Sequence, residues 1–345
     1  MIQLRLVPTI IVKYLLRIFY NGFCLLFKVH ENKVTFASYR SNRLKDNLYY
    51  VYHEIGNKYP SYKRYILFRT LDSKFFGKII YAFHMIHACY HLATSRIFIV
   101  DDYYFPLYVL RLRKNVEVIQ LWHSSGALKK FGLSTVGKPY GPSESYLKHV
   151  NVHGNYSKVF VSTKNVIPYY SEAFGMSRDR IYPLGVPRTD YFFKKNQIKR
   201  MRTLFYKNYP KSLGKKIVLY APTFRGKSHQ QGSFECPFNL EYMQQHMKSD
   251  FVLLIHLHPY MQKDFFIPDH LSDFVINIES NFTIMELLAL TDVLITDYSS
   301  VFIDFSLLER PMIFFANDLE EYTKERDFYY DYDKLIPGPK VNDTK

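Results

Sequence analysis

The chain has 345 residues, enough for two domains of ordinary size, and its 48% hydrophobic content with 31 Tyr and 29 Phe excludes a solvated, disordered polypeptide. A formal net charge of +15 favours an anionic partner, either a phosphorylated substrate, an anionic membrane surface or a nucleic acid. Lys and Arg are dispersed and no finger, RNP-like or basic-zipper pattern occurs, so no nucleic-acid partner is expected. Cys24, Cys89 and Cys236 fit no metal or disulfide spacing and read as reduced thiols of a cytosolic protein.

Residues 1–30 form the first predicted element. Met1–Val29 is apolar but interrupted at Arg5, Lys13, Arg17, Asn21 and Lys28, so no uninterrupted run reaches the roughly 18 residues of a spanning helix. No small-residue cleavage site marks a signal peptide. On a helical wheel Lys13, Arg17, Asn21 and Lys28 share an arc of roughly 80°. That is a basic amphipathic helix, suited to lying on an anionic membrane surface. The competing reading is a helix packed on the protein's own core with a solvated basic stripe.

Beyond Val29, β-rich runs alternate with helical stretches. Strands are predicted at Val34–Ser38, Tyr65–Phe68, Ile97–Val100, Val116–Leu121, Val159–Ser162 and Ile181–Leu184, with helices at Asn47–Gly56, Lys78–Ala93 and Pro168–Phe174. The basic, helical stretch Lys194–Lys216 marks a boundary, giving domains 31–195 and 196–345. A second set follows: strands Ile217–Ala221, Phe251–Leu257, Phe274–Asn277, Val293–Thr296 and Met312–Phe315, with helices Leu240–Lys248, Thr283–Leu290 and Ser300–Glu309. Such alternation implies α/β architecture: two Rossmann-like domains with parallel sheets, facing a cleft.

Four strand ends carry chemistry. In Thr291–Pro311 a short apolar strand ends in Asp297, and Ser299 and Ser300 open a helix. Hydroxyls and free N–H groups at a helix N-terminus suit phosphate, so Leu290–Ala316 reads as a nucleotide-diphosphate pocket. The alternative is that one serine caps a helix. A second strand ends in His256-Leu-His258-Pro259, both imidazoles leaving one face; a structural role or a two-histidine metal site are the other readings. The third ends in Trp122-His123, followed by Ser124, Ser125 and Gly126 and a basic helical turn with Lys129 and Lys130. A strand-end histidine suits a general base, and that turn suits an anionic acceptor. The fourth leads into Pro222, Thr223 and Arg225, whose guanidinium fits phosphate oxygens.

In this order the four segments, with Arg310-Pro311, Asp318–Tyr322, Phe328–Asp331 and Pro337-Gly-Pro339, resemble the CDP-glycerol glycerophosphotransferase family of teichoic acid and capsule synthesis. The resemblance covers roughly Val116–Pro339 and implies a GT-B-like fold. It also implies a peripheral enzyme on the cytoplasmic face of the membrane, with a CDP-glycerol or CDP-polyol donor and a lipid-linked polymer acceptor. By motif, His123 would be the base on the acceptor hydroxyl. His258 would meet the donor pyrophosphate, Arg225, Ser299 and Ser300 its phosphates, and Asp297 and Asp304 would orient that loop. Mg²⁺ can accompany the donor pyrophosphate, although no carboxylate cage is visible. The sequence departs from the family at Ser124-Ser125, where Gly-Thr is usual, at His256, where Arg is common, and in stopping at Lys345, where the family continues with further helix. Two readings share the architecture: a nucleotide-sugar glycosyltransferase, and a catalytically decayed membrane-bound scaffold.

Overall fold

The computed structural model describes residues 4–71, 75–139, 141–223, 236–257, 266–278 and 282–345. The chain divides into two compact units, Met1–Arg188 with Glu325–Tyr329, and Thr189–Lys324 with Tyr330–Lys345.

The first unit is built on six parallel strands: β1 (His30–Ser38), β2 (Lys63–Phe68), β3 (Ser95–Val100), β4 (Glu117–Gln120), β5 (Lys158–Phe160) and β6 (Ile181–Tyr182). Their order is β2-β1-β3-β4-β5-β6. Its helices are α1 (Val7–Leu26), α2 (Asp46–Lys58), α3 (Phe75–Thr94), α4 (Phe105–Val109), α5 (Glu144–Leu147) and α6 (Ile167–Phe174). Alternate residues of a strand leave opposite faces, so a central parallel strand must be apolar on both. Val34, Phe36 and Ile99 accordingly form one core with Leu48 of α2. Ala37, Phe98, Val100 and Val118 form the other, with Ala88 and Leu92 of α3 and Leu16 and Tyr20 of α1. Phe36 and Phe98 are fully buried, and truncating either to Ala costs about 3–5 kcal/mol. Helix α6 ends at Gly175, whose left-handed φ of 59° admits glycine without strain and returns the chain toward β6.

Helix α1 departs from its sequence reading. Lys13 and Arg17 do not join a solvated stripe. Lys13 Nζ donates to the His149 carbonyl at 2.6 Å, and Arg17 Nε donates to the Val109 carbonyl at 2.6 Å. Their stems are long enough to reach carbonyls that end other segments, and these bonds turn two of the four polar positions inward; Asn21 and Lys28 are exposed. The outward face is left apolar, with Ile11, Tyr14, Leu15 and Ile18 exposed. Beside it α3 exposes Phe76, Ile79, Ile80 and Phe83. The segment Leu4–Leu26 is also long and apolar enough to cross a membrane by length and composition, because Arg5, Lys13 and Arg17 do not offset so many apolar side chains.

The second unit has the strands β7 (Lys216–Ala221), β8 (Phe251–Ile255), β9 (Val275–Asn277), β10 (Val293–Thr296), β11 (Met312–Phe315) and β12 (Lys340–Val341). All are parallel, in the order β12-β11-β10-β7-β8-β9. Counted within the unit this is the dinucleotide-fold order read backwards. Its helices are α7 (Lys195–Asn208), α8 (Leu240–Met247), α9 (Ile284–Leu290), α10 (Val301–Phe305), α11 (Leu319–Arg326) and α12 (Tyr332–Leu335). Thr283 and Glu286 form a reciprocal capping box that starts α9, worth about 1 kcal/mol. The helix expected over Ser300–Glu309 is shorter. After α10 a 3-10 turn at Ser306–Leu308 ends on Glu309 in the left-handed region, and Pro311 follows.

Candidate active site

In an open parallel sheet, ligands bind beyond the carboxyl ends of the strands, where the strand order reverses. In the first unit that point lies between β1 and β3. The residues following those two strands are Tyr39 and Arg40, and Asp101 and Asp102. Arg40 Nε lies 3.1 Å from Asp102 Oδ2. Asp102 Oδ1 accepts the Tyr103 N–H at 2.6 Å and the Tyr39 hydroxyl at 3.4 Å. Burial alone would raise Asp102, but the charge of His123, its contact and the charge of Arg40 outweigh it and hold the carboxyl below its ordinary range. Asp101 goes the other way: desolvation pushes it up to about 6.

His123 stands beyond the adjacent strand β4. Its Nδ1 is 3.0 Å from Asp102 Oδ2, an off-axis approach, and its side chain is 31% exposed. The imidazole stacks on Trp122 with centroids 4.6 Å apart. Trp122 itself has a left-handed φ of 53°, which re-aims the chain directly before the histidine. That conformation is pinned at both peptide groups: the Gln120 side chain accepts the Trp122 N–H at 2.8 Å, and Asn47 Nδ2 donates to the Trp122 carbonyl at 2.9 Å. Arg188 donates to the His123 carbonyl at 2.8 Å. Beneath the Trp ring lie Phe131, Phe174 and the buried His153. Desolvation lowers His153 to about 3, so it is neutral packing. Gly132, with φ of 58°, lets the chain pass it; a Cβ there would sit 2.3 Å from the Ala173 carbonyl and 2.8 Å from His153 Nε2.

The basic helical turn expected after His123 does not form. Ser124 Oγ bonds the Gly126 carbonyl at 2.8 Å and meets the Gly126 N–H at 3.4 Å, an Asx-like turn that competes with a helix start. Lys129 instead bridges antiparallel to Phe328. Lys130 Nζ lies 2.9 Å from Asp327 Oδ2, with Lys138 at 3.3 Å, and these partners hold Asp327 below its ordinary range. The charge of Lys130 is thus matched within the unit. Tyr329 donates its N–H to the Leu128 carbonyl at 3.0 Å and stacks near Tyr169, so Glu325–Tyr329 clamps the loop behind His123.

In the second unit the order reverses between β7 and β10. Thr223 follows β7 and Asp297 follows β10, and they meet there: the Thr223 N–H donates to Asp297 Oδ1 at 2.7 Å. Asp297 is buried, and its carbonyl accepts the Tyr332 hydroxyl at 3.1 Å. Next to it the buried Tyr298 donates to Asp318 at 2.8 Å and stacks on Tyr322 at 4.3 Å. Ser299 and Ser300 are half-buried, and Ser300 occupies the N-cap of α10 without making a side-chain capping bond. Its presence is therefore not explained as a cap. Asp304 is buried within α10. His256 lies one residue past β8, its N–H on the Tyr220 carbonyl at 3.0 Å. Arg225 and His258 lie outside the described residues. Among the described residues no group of three or more His, Cys, Asp or Glu side chains is arranged to hold a metal ion.

Asp102, Arg40, Asn47 and Gln120 were not singled out in the sequence. The signal available was two adjacent acids ending a buried strand, Asp101-Asp102, on a strand next to that of His123.

The model of the CDP-glycerol:poly(glycerophosphate) glycerophosphotransferase family matches residues 18–345. The chain is 45% identical over 337 residues to the teichoic acid ribitol-phosphate primase of Bacillus spizizenii, covering 97% of this chain and 86% of that one. It is 34% identical to the teichoic acid ribitol-phosphate polymerase TarL of Staphylococcus aureus, covering 90% of this chain and 54% of that one. It spans 50% of the poly(ribitol-phosphate) polymerase of Bacillus spizizenii, so about half the length of these polymerases. The structure of the wall teichoic acid polymerase TagF superposes with a TM-score of 0.73 at 23% identity, over 99% of this chain and 85% of that one, which establishes the GT-B-like fold. With two parallel-sheet α/β units and this match along nearly its whole length, the chain belongs to the CDP-glycerol:poly(glycerophosphate) glycerophosphotransferase family, the polyol-phosphate transferases of teichoic acid synthesis.

Proposed function

We propose that this protein transfers a polyol phosphate, most specifically ribitol phosphate, from a CDP-linked donor to a lipid-linked teichoic acid acceptor. The observation that carries the reading is His123, a partly exposed imidazole at a strand end, backed by the buried Asp102 carboxylate and stacked on Trp122. In the step we envisage, His123 Nε2 takes the proton of the acceptor hydroxyl. The acceptor oxygen bonds to the β-phosphorus, the bond to the bridging oxygen breaks, and CMP leaves with that electron pair. The first unit serves the acceptor. The second holds the donor through Thr223, Asp297, Ser299 and Ser300, with Asp304 supporting α10; Arg225 and His258 keep the phosphate roles that the motif implies.

Ribitol over glycerol rests on the 45% identical ribitol-phosphate primase. Glycerol phosphate is the second reading, favoured by the 34% identical teichoic acid glycerol-phosphate primase of Bacillus subtilis. Incubation with CDP-ribitol, CDP-glycerol and a panel of sugar nucleotides, read as released nucleotide, separates these. CMP release with CDP-ribitol first is expected. Release of a nucleoside diphosphate from a sugar nucleotide would make the protein a glycosyltransferase. No release with any donor would leave a scaffold.

The protein also sits peripherally on the cytoplasmic face of the membrane in this reading. The apolar faces of α1 and α3 support it: Ile18 and Phe83 are 67% and 68% exposed, while Lys13 and Arg17 are turned inward. Seating would then depend on apolar burial more than on charge.

A further inference from the structure

We propose that Asp102 is a positioning residue that keeps the proton of His123 on Nδ1, so that Nε2 presents its lone pair to the acceptor hydroxyl. This deepens the reading of His123 as the base and rests on it. A neutral imidazole has two tautomers, and the one present is set by the bond its other nitrogen makes. Here Nδ1 faces Asp102 Oδ2 at 3.0 Å, within N–H···O donor–acceptor distance.

Asp102 has the properties of a fixed acceptor. It is 6% exposed, and its Oδ1 is already bonded to the Tyr103 N–H and the Tyr39 hydroxyl. Arg40 shares Oδ2 with the imidazole, so the carboxylate stays ionised and cannot itself take the proton. The Gln120 side chain ties the two together. Its Nε2 donates to the Asp102 carbonyl at 3.0 Å, and its Oε1 accepts the Trp122 N–H at 2.8 Å. One buried amide therefore links the segment after β3 that carries the acid to the segment after β4 that carries the base. When His123 takes the acceptor proton on Nε2, the resulting imidazolium is offset by Asp102; the Nδ1 proton does not move.

The test uses the full chain with ¹⁵N-labelled histidine, the His123 signals being assigned by their loss in His123→Ala. Wild-type protein is expected to show protonated Nδ1 and bare Nε2. Protonated Nε2 with bare Nδ1 would overturn the proposal without any variant. In Asp102→Asn the tautomer is expected to reverse, with kcat for nucleotide release down about a hundredfold or more and the donor KM within about twofold. An unchanged tautomer, or kcat within threefold of wild type, would overturn it. Asp102→Glu is expected to restore the tautomer and part of kcat. Because Asp102 acts through His123, the double variant is expected to be no slower than His123→Ala alone, and additive losses count against it. Wild-type turnover in His123→Ala would remove the base assignment itself, a result distinct from any of these.

Discussion

The two sheets have the same number of strands and each reverses order once, yet their switch points are furnished differently. At the first, the residues past the strand ends are charged and grip one another: Arg40, Asp102 and, from the neighbouring strand, His123. At the second, the carboxylate of Asp297 is tied to a main-chain N–H, that of Thr223, the Tyr332 hydroxyl donates to the Asp297 carbonyl, and the adjacent Tyr298 donates to Asp318. In the function proposed above the first end holds and moves a proton, while among the described residues the second ties a loop near hydroxyls and N–H groups. Topology decides where a site lies; the one or two residues after each strand decide its chemistry.

The sharpest break in that contrast is His123→Ala, expected to lower nucleotide release at least about a hundredfold with little loss of stability, since the ring is partly exposed. Equal loss of stability and turnover would make the first switch point as structural as the second. Asp297→Ala should do the reverse. It removes the carboxylate that accepts the Thr223 N–H, so a drop of about 1–3 kcal/mol in unfolding free energy is expected, together with a higher donor KM. Urea titration beside donor kinetics checks both. The contrast extends to the surface of the first unit: Ile18→Asp with Phe83→Asp should weaken binding to anionic vesicles by at least about tenfold, whereas raising NaCl to about 0.5 M should change wild-type binding little. Strong salt sensitivity in cosedimentation would restore the basic-stripe reading. Smallest is an acid effect. Burial holds His84, His91 and His153, all in the first unit, neutral, at about 4, 3 and 3. Unfolded, they titrate near 6.5, so the unfolded chain binds more protons below that pH. The stability they confer is present above it and falls as pH drops toward 4. His153 alone accounts for less than about 1 kcal/mol between pH 7 and pH 6. Hydrogen exchange at pH 5 should loosen β1 and β3 before β7 and β10.

Much of this was legible in the sequence, because buried parallel strands leave continuous apolar runs and polar residues at their ends. His123, Thr223 and Asp297 were expected just past strand ends, and they stand there, with the Thr223 N–H donating to Asp297. What was not legible depends on which way side chains turn. A helical wheel puts Lys13 and Arg17 on one arc, but only the carbonyls of His149 and Val109 decide that the arc faces the protein. Asp102 lies two residues past the predicted strand Ile97–Val100, and its ionic partners Arg40 and His123 are distant in sequence. The helical turn expected after His123 was lost to a serine bond two residues long. Strand β12, two residues, is too short to carry a period.

Glu325–Tyr329 clamps the loop that follows His123, although it lies more than a hundred residues beyond the rest of its unit. That placement sets an order of events during synthesis. With translation at about 5–20 residues per second, the ribosome needs on the order of ten seconds after Arg188 to reach Tyr329. For that interval the nascent first unit has its sheet but lacks Asp327 for Lys130 and the Tyr329 ring for Tyr169. The histidine loop is therefore the last part of the early-made half to lock, and it does so only once nearly all of the second half has been synthesised.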